Sequence, residues 1–179
     1  VARKLSEEGY FVIIFGDEKH PEVKGILGWV NGQGSAVLEA KQLVNWDRIP
    51  RKIGIMSQTT QIPERFIRFI KDVIDLTLTE GTEIQIIDTI CEGVRKRQSQ
   101  SLEVARQADL MLVVGGTSSA NTKRLLEICS AVTESYLIGK MEDINPDWLK
   151  GKKIVGITSG TSTSEETINE VIDHVKRFC

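Results

Sequence analysis

The sequence predicts an α/β protein of two similar domains, each a small parallel sheet flanked by helices. Two observations carry this. Short apolar runs rich in β-branched residues alternate along the chain with longer segments of helical periodicity. The runs are apolar throughout, the pattern of strands buried on both faces. Strands alternating with helices of this length form parallel sheets covered by helices.

In chain order, Val1 to Gly9 reads as the second half of an amphipathic helix entered midway, so the chain is expected to be a fragment of something longer. Tyr10 to Phe15 is the first strand. Ile53 to Met56, Ile84 to Ile87, Leu110 to Val114, Tyr136 to Ile138 and Ile154 to Ile157 follow. The clearest helix is Pro63 to Leu78, with Phe66, Ile67, Phe69, Ile70, Val73 and Ile74 at helical spacing and a proline suited to its first turn. Glu92 to Gln107, Asn121 to Val132 and Ser164 to Phe178 carry the same period. Gly32-Gln33-Gly34-Ser35 reads as a loop; neither GxGxxG nor a P-loop motif occurs. Thr79 to Thr82 separates the long helix from the next strand, which suggests domains at residues 1–80 and 81–179.

Composition narrows the class. The 179 residues are 40% hydrophobic and 27% charged, with net charge −2, ordinary for a globular protein. Neither a nucleic-acid partner nor a membrane is expected: the one basic cluster, Arg95-Lys96-Arg97, reads as a solvated helix face, and no apolar run reaches membrane-span length. No signal peptide is expected. Three widely spaced cysteines without a CxxC fit a reducing cytoplasm. Cys129 lies on an apolar helix face and reads as core; Cys179 ends the chain with no derivable role.

The chemistry gathers where strands end. Gly16 to Gly25, Ser57 to Thr60, Gly115 to Thr122 and Thr158 to Ser164 are crowded with hydroxyls, amides and glycines, and each leads into a helix. Ligands of open α/β sheets bind beyond the carboxyl ends of the strands, where helix N-termini present free N–H groups. Such turns suit a phosphate or diphosphate; the same residues also cap helices. His20 and Glu22 add two titratable groups at one strand end, able to donate to an anion or move a proton, or, more simply, to decorate a loop and a helix start. Cys91 follows the apolar run Ile86-Ile87-Asp88-Thr89-Ile90 and precedes a helix. That position favours a thiolate able to bind metal, although a lone cysteine there also serves as a small buried hydrophobe.

Taken in order, these segments resemble the IspH/LytB family of 4-hydroxy-3-methylbut-2-enyl diphosphate reductases. His20-Pro21-Glu22-Val23-Lys24-Gly25 with Gly28-Trp29 is similar to its HPEVxG signature, Gln58-Thr59-Thr60 to its QTT, and Asp88-Thr89-Ile90-Cys91 to its DTIC segment. Ser118-Ser119-Ala120-Asn121-Thr122 with Arg124-Leu125 resembles its SSN…RL turn, and Thr158-Ser159-Gly160-Thr161-Ser162 its TAGAS turn.

The resemblance implies the last step of the non-mevalonate isoprenoid pathway, with a 4Fe–4S cluster on three cysteines and an electron donor such as ferredoxin or flavodoxin. It implies Cys91 as one cluster ligand and Glu22 as proton donor, with Thr59 in the same relay and at the substrate. His20, Ser119, Asn121 and Ser162 would hold the diphosphate of the small allylic substrate, together with the backbone N–H of Ala120. It also implies a fold of three similar α/β domains, of which this chain resembles the second and third. Two departures stand out. Ala120 replaces a common serine, and Ser164 replaces a common proline, a change expected to be harmless. The family's first two cluster cysteines have no counterpart here, so the chain alone is expected to be inactive. The rival expectation is a non-catalytic α/β module that binds a phosphorylated metabolite and needs neither Cys91 nor Glu22. A purely structural interaction domain leaves the polar turns unexplained.

Overall fold

The computed structural model describes residues 1–43 and 50–178. Its contacts divide the chain into two compact units, Val1–Cys91 and Glu92–Cys179. The expected boundary near residue 80 is therefore corrected. The strand Glu83–Ile86 pairs with Lys52–Ser57, Ile53 opposite Ile84 and Ile55 opposite Ile86, which draws it into the first unit. Cross-strand pairing outweighs the break in local pattern at Thr79–Thr82.

The first unit holds strands β1 (Phe11–Phe15), β2 (Gly34–Val37), β3 (Lys52–Ser57) and β4 (Glu83–Ile86), ordered β2-β1-β3-β4 and all parallel. Helices α1 (Ala2–Glu7), α2 (Pro21–Leu27) and α3 (Pro63–Thr77) accompany them. Because side chains alternate along β1, Val12 and Ile14 pack in one cluster with Leu5, Val23 and Met56, while Ile13 and Phe15 pack in another with Ile55, Phe66, Phe69 and Val73. The α3 stripe Phe66, Phe69, Val73, Thr77 is buried at helical spacing, and the Phe69 ring centroid lies 4.8 Å from that of Phe15. Truncating either ring to alanine removes on the order of 3–5 kcal/mol. The segment read as a loop at Gly32–Ser35 is a correction too: Gly34 opens β2 opposite Val12. A short strand led by glycine and serine lacks the β-branched run by which the others are recognised.

The second unit holds β5 (Leu110–Val114), β6 (Ser135–Ile138) and β7 (Val155–Ser159), ordered β6-β5-β7 and parallel, with α4 (Glu92–Ala105), α5 (Ala120–Ser130) and α6 (Glu165–Lys176). Central β5 is again buried on both faces. Leu110, Leu112 and Val114 pack with Val171 and Val175 of α6, while Met111 and Val113 pack with Ala105, Leu125 and Cys129. Cys129 is core, as its helical spacing predicts. Cys179 lies outside the described residues.

Each unit carries one topological consequence. From β1 the chain goes first to β2 on one side and then to β3 on the other; from β5 it goes first to β6 and then to β7. The order therefore reverses between β1 and β3 and again between β5 and β7, where crevices form at the carboxyl ends of parallel strands. The four hydroxyl-rich turns are the ones that follow these four strands. No described helix is long and apolar enough to cross a membrane.

Candidate active site

In the first unit, the register sets Phe15 beside Ser57, so the turns after β1 and β3 are neighbours. The Gln58 N–H donates to the Phe15 carbonyl at 3.0 Å, and the buried Gln58 Oε1 accepts from the Asp17 N–H at 3.2 Å. This joins the two turns and sets Glu22, in the first turn of α2, against Thr59. The Thr59 N–H donates to Glu22 Oε1 at 2.8 Å, and the Thr59 hydroxyl lies 3.0 Å from Oε2. The Thr59 carbonyl in turn accepts the Cys91 N–H at 3.0 Å. Glu22, Thr59 and Cys91 are thus joined through one residue. A cavity of about 520 Å³, lined among others by Ile26, Trp29, Met56 and Thr89, lies against Glu22 and Thr59.

His20 caps α2, its Nδ1 accepting from the Glu22 N–H at 3.2 Å. In the neutral ring this bond leaves the proton on Nε2, which remains a donor. Capping and anion recognition, alternatives in the sequence, are therefore compatible in one imidazole.

Cys91 is an exposed free thiol at the end of the segment that follows β4. It can serve as one ligand of an iron–sulfur cluster. Among the described residues, no group of three or more His, Cys, Asp or Glu side chains could hold a metal ion. The described residues thus offer an exposed thiol at Cys91 and do not by themselves make up a cluster site.

In the second unit, Val114 pairs with Ser159, and the Gly160 N–H donates to the Val114 carbonyl at 2.9 Å. The turns after β5 and β7 are neighbours. Ser119 caps α5, its oxygen accepting the Thr122 N–H at 3.3 Å; the hydroxyl proton is left to donate. Ala120 is the first residue of α5, where backbone N–H groups lack helical partners. Asn121 is 6% exposed. Both its side-chain polar atoms, and the Thr122 hydroxyl, have no hydrogen-bond partner among the described residues. Leaving such groups desolvated and unpaired costs about 1–3 kcal/mol each, so this turn is built to meet a polar group. Ser162 lies exposed in the adjacent turn. Ser164 caps α6, accepting from the Thr167 N–H at 3.2 Å, so the serine found in place of proline has a local task.

Three contributions escaped the sequence reading. Thr122 is packed between two glycines: a Cβ on Gly160 would stand 2.5 Å from its Oγ1, and one on Gly115, whose φ is +151°, 2.9 Å. Gln58 ties the turns of the first unit. Arg97 does not belong to a solvated face; its Nη1 donates to the Ser159 carbonyl at 3.3 Å and lies 3.4 Å from the Ser159 hydroxyl. A signal for Arg97 was present. It stands three residues after Val94 and four before Ser101, half-buried beside the stripe that α4 buries.

The structure brings Glu22, Thr59 and Cys91 together, with His20 on the same turn, and in the other unit joins the Ser119–Asn121 turn to that of Ser162. Comparison with known proteins adds the lineage. A family model described as LytB protein matches residues 1–176. A Dehalococcoides mccartyi protein named 4-hydroxy-3-methylbut-2-enyl diphosphate reductase is 48% identical over 177 residues, 99% of this chain and 62% of the relative. A Campylobacter jejuni protein of the same name is 39% identical over 179 residues, 99% of this chain and 63% of its own. A solved structure of (E)-4-hydroxy-3-methyl-but-2-enyl diphosphate reductase superimposes with TM-score 0.57 at 34% identity, covering 98% of this chain and 62% of that one. A solved structure of E-1-hydroxy-2-methyl-but-2-enyl-4-diphosphate reductase from Plasmodium falciparum, with TM-score 0.87 at 22% identity over 96% of this chain and 54% of its own, shares the fold. The chain thus spans somewhat under two thirds of the length of these relatives, and it belongs to the LytB protein family.

Proposed function

We propose that this chain supplies part of the active site of a reductase that converts 4-hydroxy-3-methylbut-2-enyl diphosphate to isopentenyl and dimethylallyl diphosphates. The balance is simple: the allylic C–O bond breaks, two electrons and two protons enter, one proton completes the departing water and the other reaches carbon. The observation that carries the reading is the Glu22–Thr59–Cys91 linkage: the Glu22 carboxylate on the Thr59 N–H and hydroxyl, and the backbone N–H of Cys91, whose thiol is exposed, on the Thr59 carbonyl.

Each residue has a stated task. Glu22, when protonated, passes its proton through the Thr59 hydroxyl to the substrate hydroxyl, a short relay that turns hydroxide into water as the leaving group. Thr59 donates to or accepts from that hydroxyl and fixes its orientation. His20 of the first unit, through Nε2–H, and Ser119, Ala120, Asn121 and Ser162 of the second, with neutral donors and a helix N-terminus, each offer contacts suited to a diphosphate. A 4Fe–4S cluster, with Cys91 as one of its thiolate ligands, would supply the electrons and a Lewis-acidic iron. The further ligands are not among the described residues, and the isolated chain is expected to be inactive. A ferredoxin or flavodoxin fits as electron donor, and the unpaired thiols fit a reducing cytoplasm.

The test uses the complete protein, reconstituted anaerobically with iron and sulfide. Cys91→Ser should lose the cluster's visible and EPR signature. Glu22→Gln should keep both cluster and substrate binding and lose turnover. A cluster indifferent to Cys91, with diphosphate binding intact in both variants, would instead favour a non-catalytic module for a phosphorylated metabolite.

A further inference from the structure

The turn after β7 has little to hold it in the local sequence. It runs from Gly160 through Ser162 to the cap Ser164, and its exposed Ser162 must be presented at a defined place if it is to contact a diphosphate. One end is secured to β5: the Thr163 hydroxyl donates to the Val114 carbonyl at 3.1 Å, and the Thr163 N–H to the Gly160 carbonyl at 3.2 Å. The other end, where Ser159 pairs with Val114 and the Gly160 N–H donates to the Val114 carbonyl at 2.9 Å, is held in addition from α4. Ser101 Oγ lies 2.6 Å from Thr158 Oγ1. Four residues earlier on the same helix face, Arg97 Nη1 reaches both oxygens of Ser159, at 3.3 and 3.4 Å. Ser159 is buried, at 5% exposure. Among the described residues no carboxylate stands within ion-pair distance of Arg97. Its positive charge is spent on a carbonyl and a hydroxyl at the root of the turn.

A guanidinium is a costly way to satisfy two neutral acceptors. It becomes intelligible if an anion binds just beyond them, because a held cation with no carboxylate partner among the described residues favours the charged ligand while its Nη1 holds the Ser159 carbonyl and hydroxyl. We propose that Arg97 is a positioning residue of the diphosphate site: from α4 it clamps Ser159 and thereby sets the place of Ser162. This rests on the reading of Ser162 as a diphosphate contact and adds to it the part that holds that contact in place.

The test is a double-mutant cycle on the complete, cluster-loaded enzyme, with inorganic diphosphate as probe by calorimetry and the allylic diphosphate as substrate by kinetics. Arg97→Ala should raise the diphosphate Kd and the substrate KM about tenfold or more, with kcat changed much less. Arg97→Lys, which keeps the charge on a shorter side chain that loses the Nη1 contacts to Ser159, should recover part of the affinity. In a Ser162→Ala background the Arg97→Ala effect should shrink to the charge contribution that Arg97→Lys retains. If Arg97→Ala fails to fold, Arg97→Lys carries the same cycle. A lowered Tm with Kd and KM unchanged would show Arg97 to be merely structural and overturn the inference, as would an undiminished effect in the Ser162→Ala background. A Ser162→Ala variant that binds diphosphate normally would instead remove the reading on which the inference rests.

Discussion

Thr59 grips both oxygens of the Glu22 carboxylate, its N–H at 2.8 Å from Oε1 and its hydroxyl at 3.0 Å from Oε2. A carboxylate on a helix otherwise rotates about its side-chain bonds. Two bonds from a neighbouring strand's turn remove that freedom before any substrate arrives, so the ordering cost is met on folding rather than on binding.

The two members of this pair should fail differently. Thr59→Ala keeps the N–H bond to Glu22 and loses the hydroxyl, so turnover of the complete enzyme should fall about 10–100-fold. Glu22→Gln keeps an oxygen for the Thr59 N–H and has no proton to give, so the loss should be about 10²–10⁴-fold. Steady-state kinetics beside the cluster spectrum checks this; equal losses, or a disturbed spectrum in Thr59→Ala, would remove the relay.

Ser119 separates capping from recognition. Aspartate caps helices as well as serine does, but it carries a negative charge and no donor proton. Ser119→Asp should leave the melting temperature within a few degrees of wild type and abolish measurable binding of inorganic diphosphate. Ser119→Ala should instead cost about 1 kcal/mol of stability. Normal diphosphate affinity in Ser119→Asp would return Ser119 to capping alone.

Gly160→Ala should destabilise the protein by about 1–3 kcal/mol, because the added Cβ meets Thr122 Oγ1 at 2.5 Å and Thr122 is buried, so any rotamer change must be accommodated by packed neighbours. Adding Thr122→Ala to Gly160→Ala should recover most of the loss. Urea unfolding of the four variants of the cycle reads the coupling, and additive losses would mean that the turn yields elsewhere.

The two described cysteines should react apart. Burial pushes the Cys129 thiol up to about 11 from its ordinary 9.0. As pH rises above 9.0 the unfolded chain gives up this proton and the folded chain keeps it. That contribution to stability is therefore full below pH 9.0 and falls until about 11. Cys129→Ala should flatten that part of the stability–pH curve. In native apoprotein, iodoacetamide should modify the peptide bearing exposed Cys91 and spare that bearing Cys129; rapid modification of Cys129 would contradict its burial.

Much of this molecule is written locally. The strands Phe11–Phe15 and Leu110–Val114 are apolar throughout because both faces are covered, and α3 carries its buried stripe at helical spacing. The glycine- and hydroxyl-rich turns stand out for the same reason, since capping and tight turns depend on residues a few positions apart. What was not legible involves partners far apart in the chain. Gly34–Val37 becomes a strand through Val12, and Glu83–Ile86 joins the first sheet through Ile53 and Ile55. Arg97 leaves an apparently solvated face because Ser159, 62 residues away, offers two acceptors. Chain order says nothing of which strands neighbour each other. Sheet pairing does, and by placing β3 beside β1 and β7 beside β5 it turned four separate turns into two crevices, with Glu22 against Thr59 in one and Thr122 between two glycines in the other.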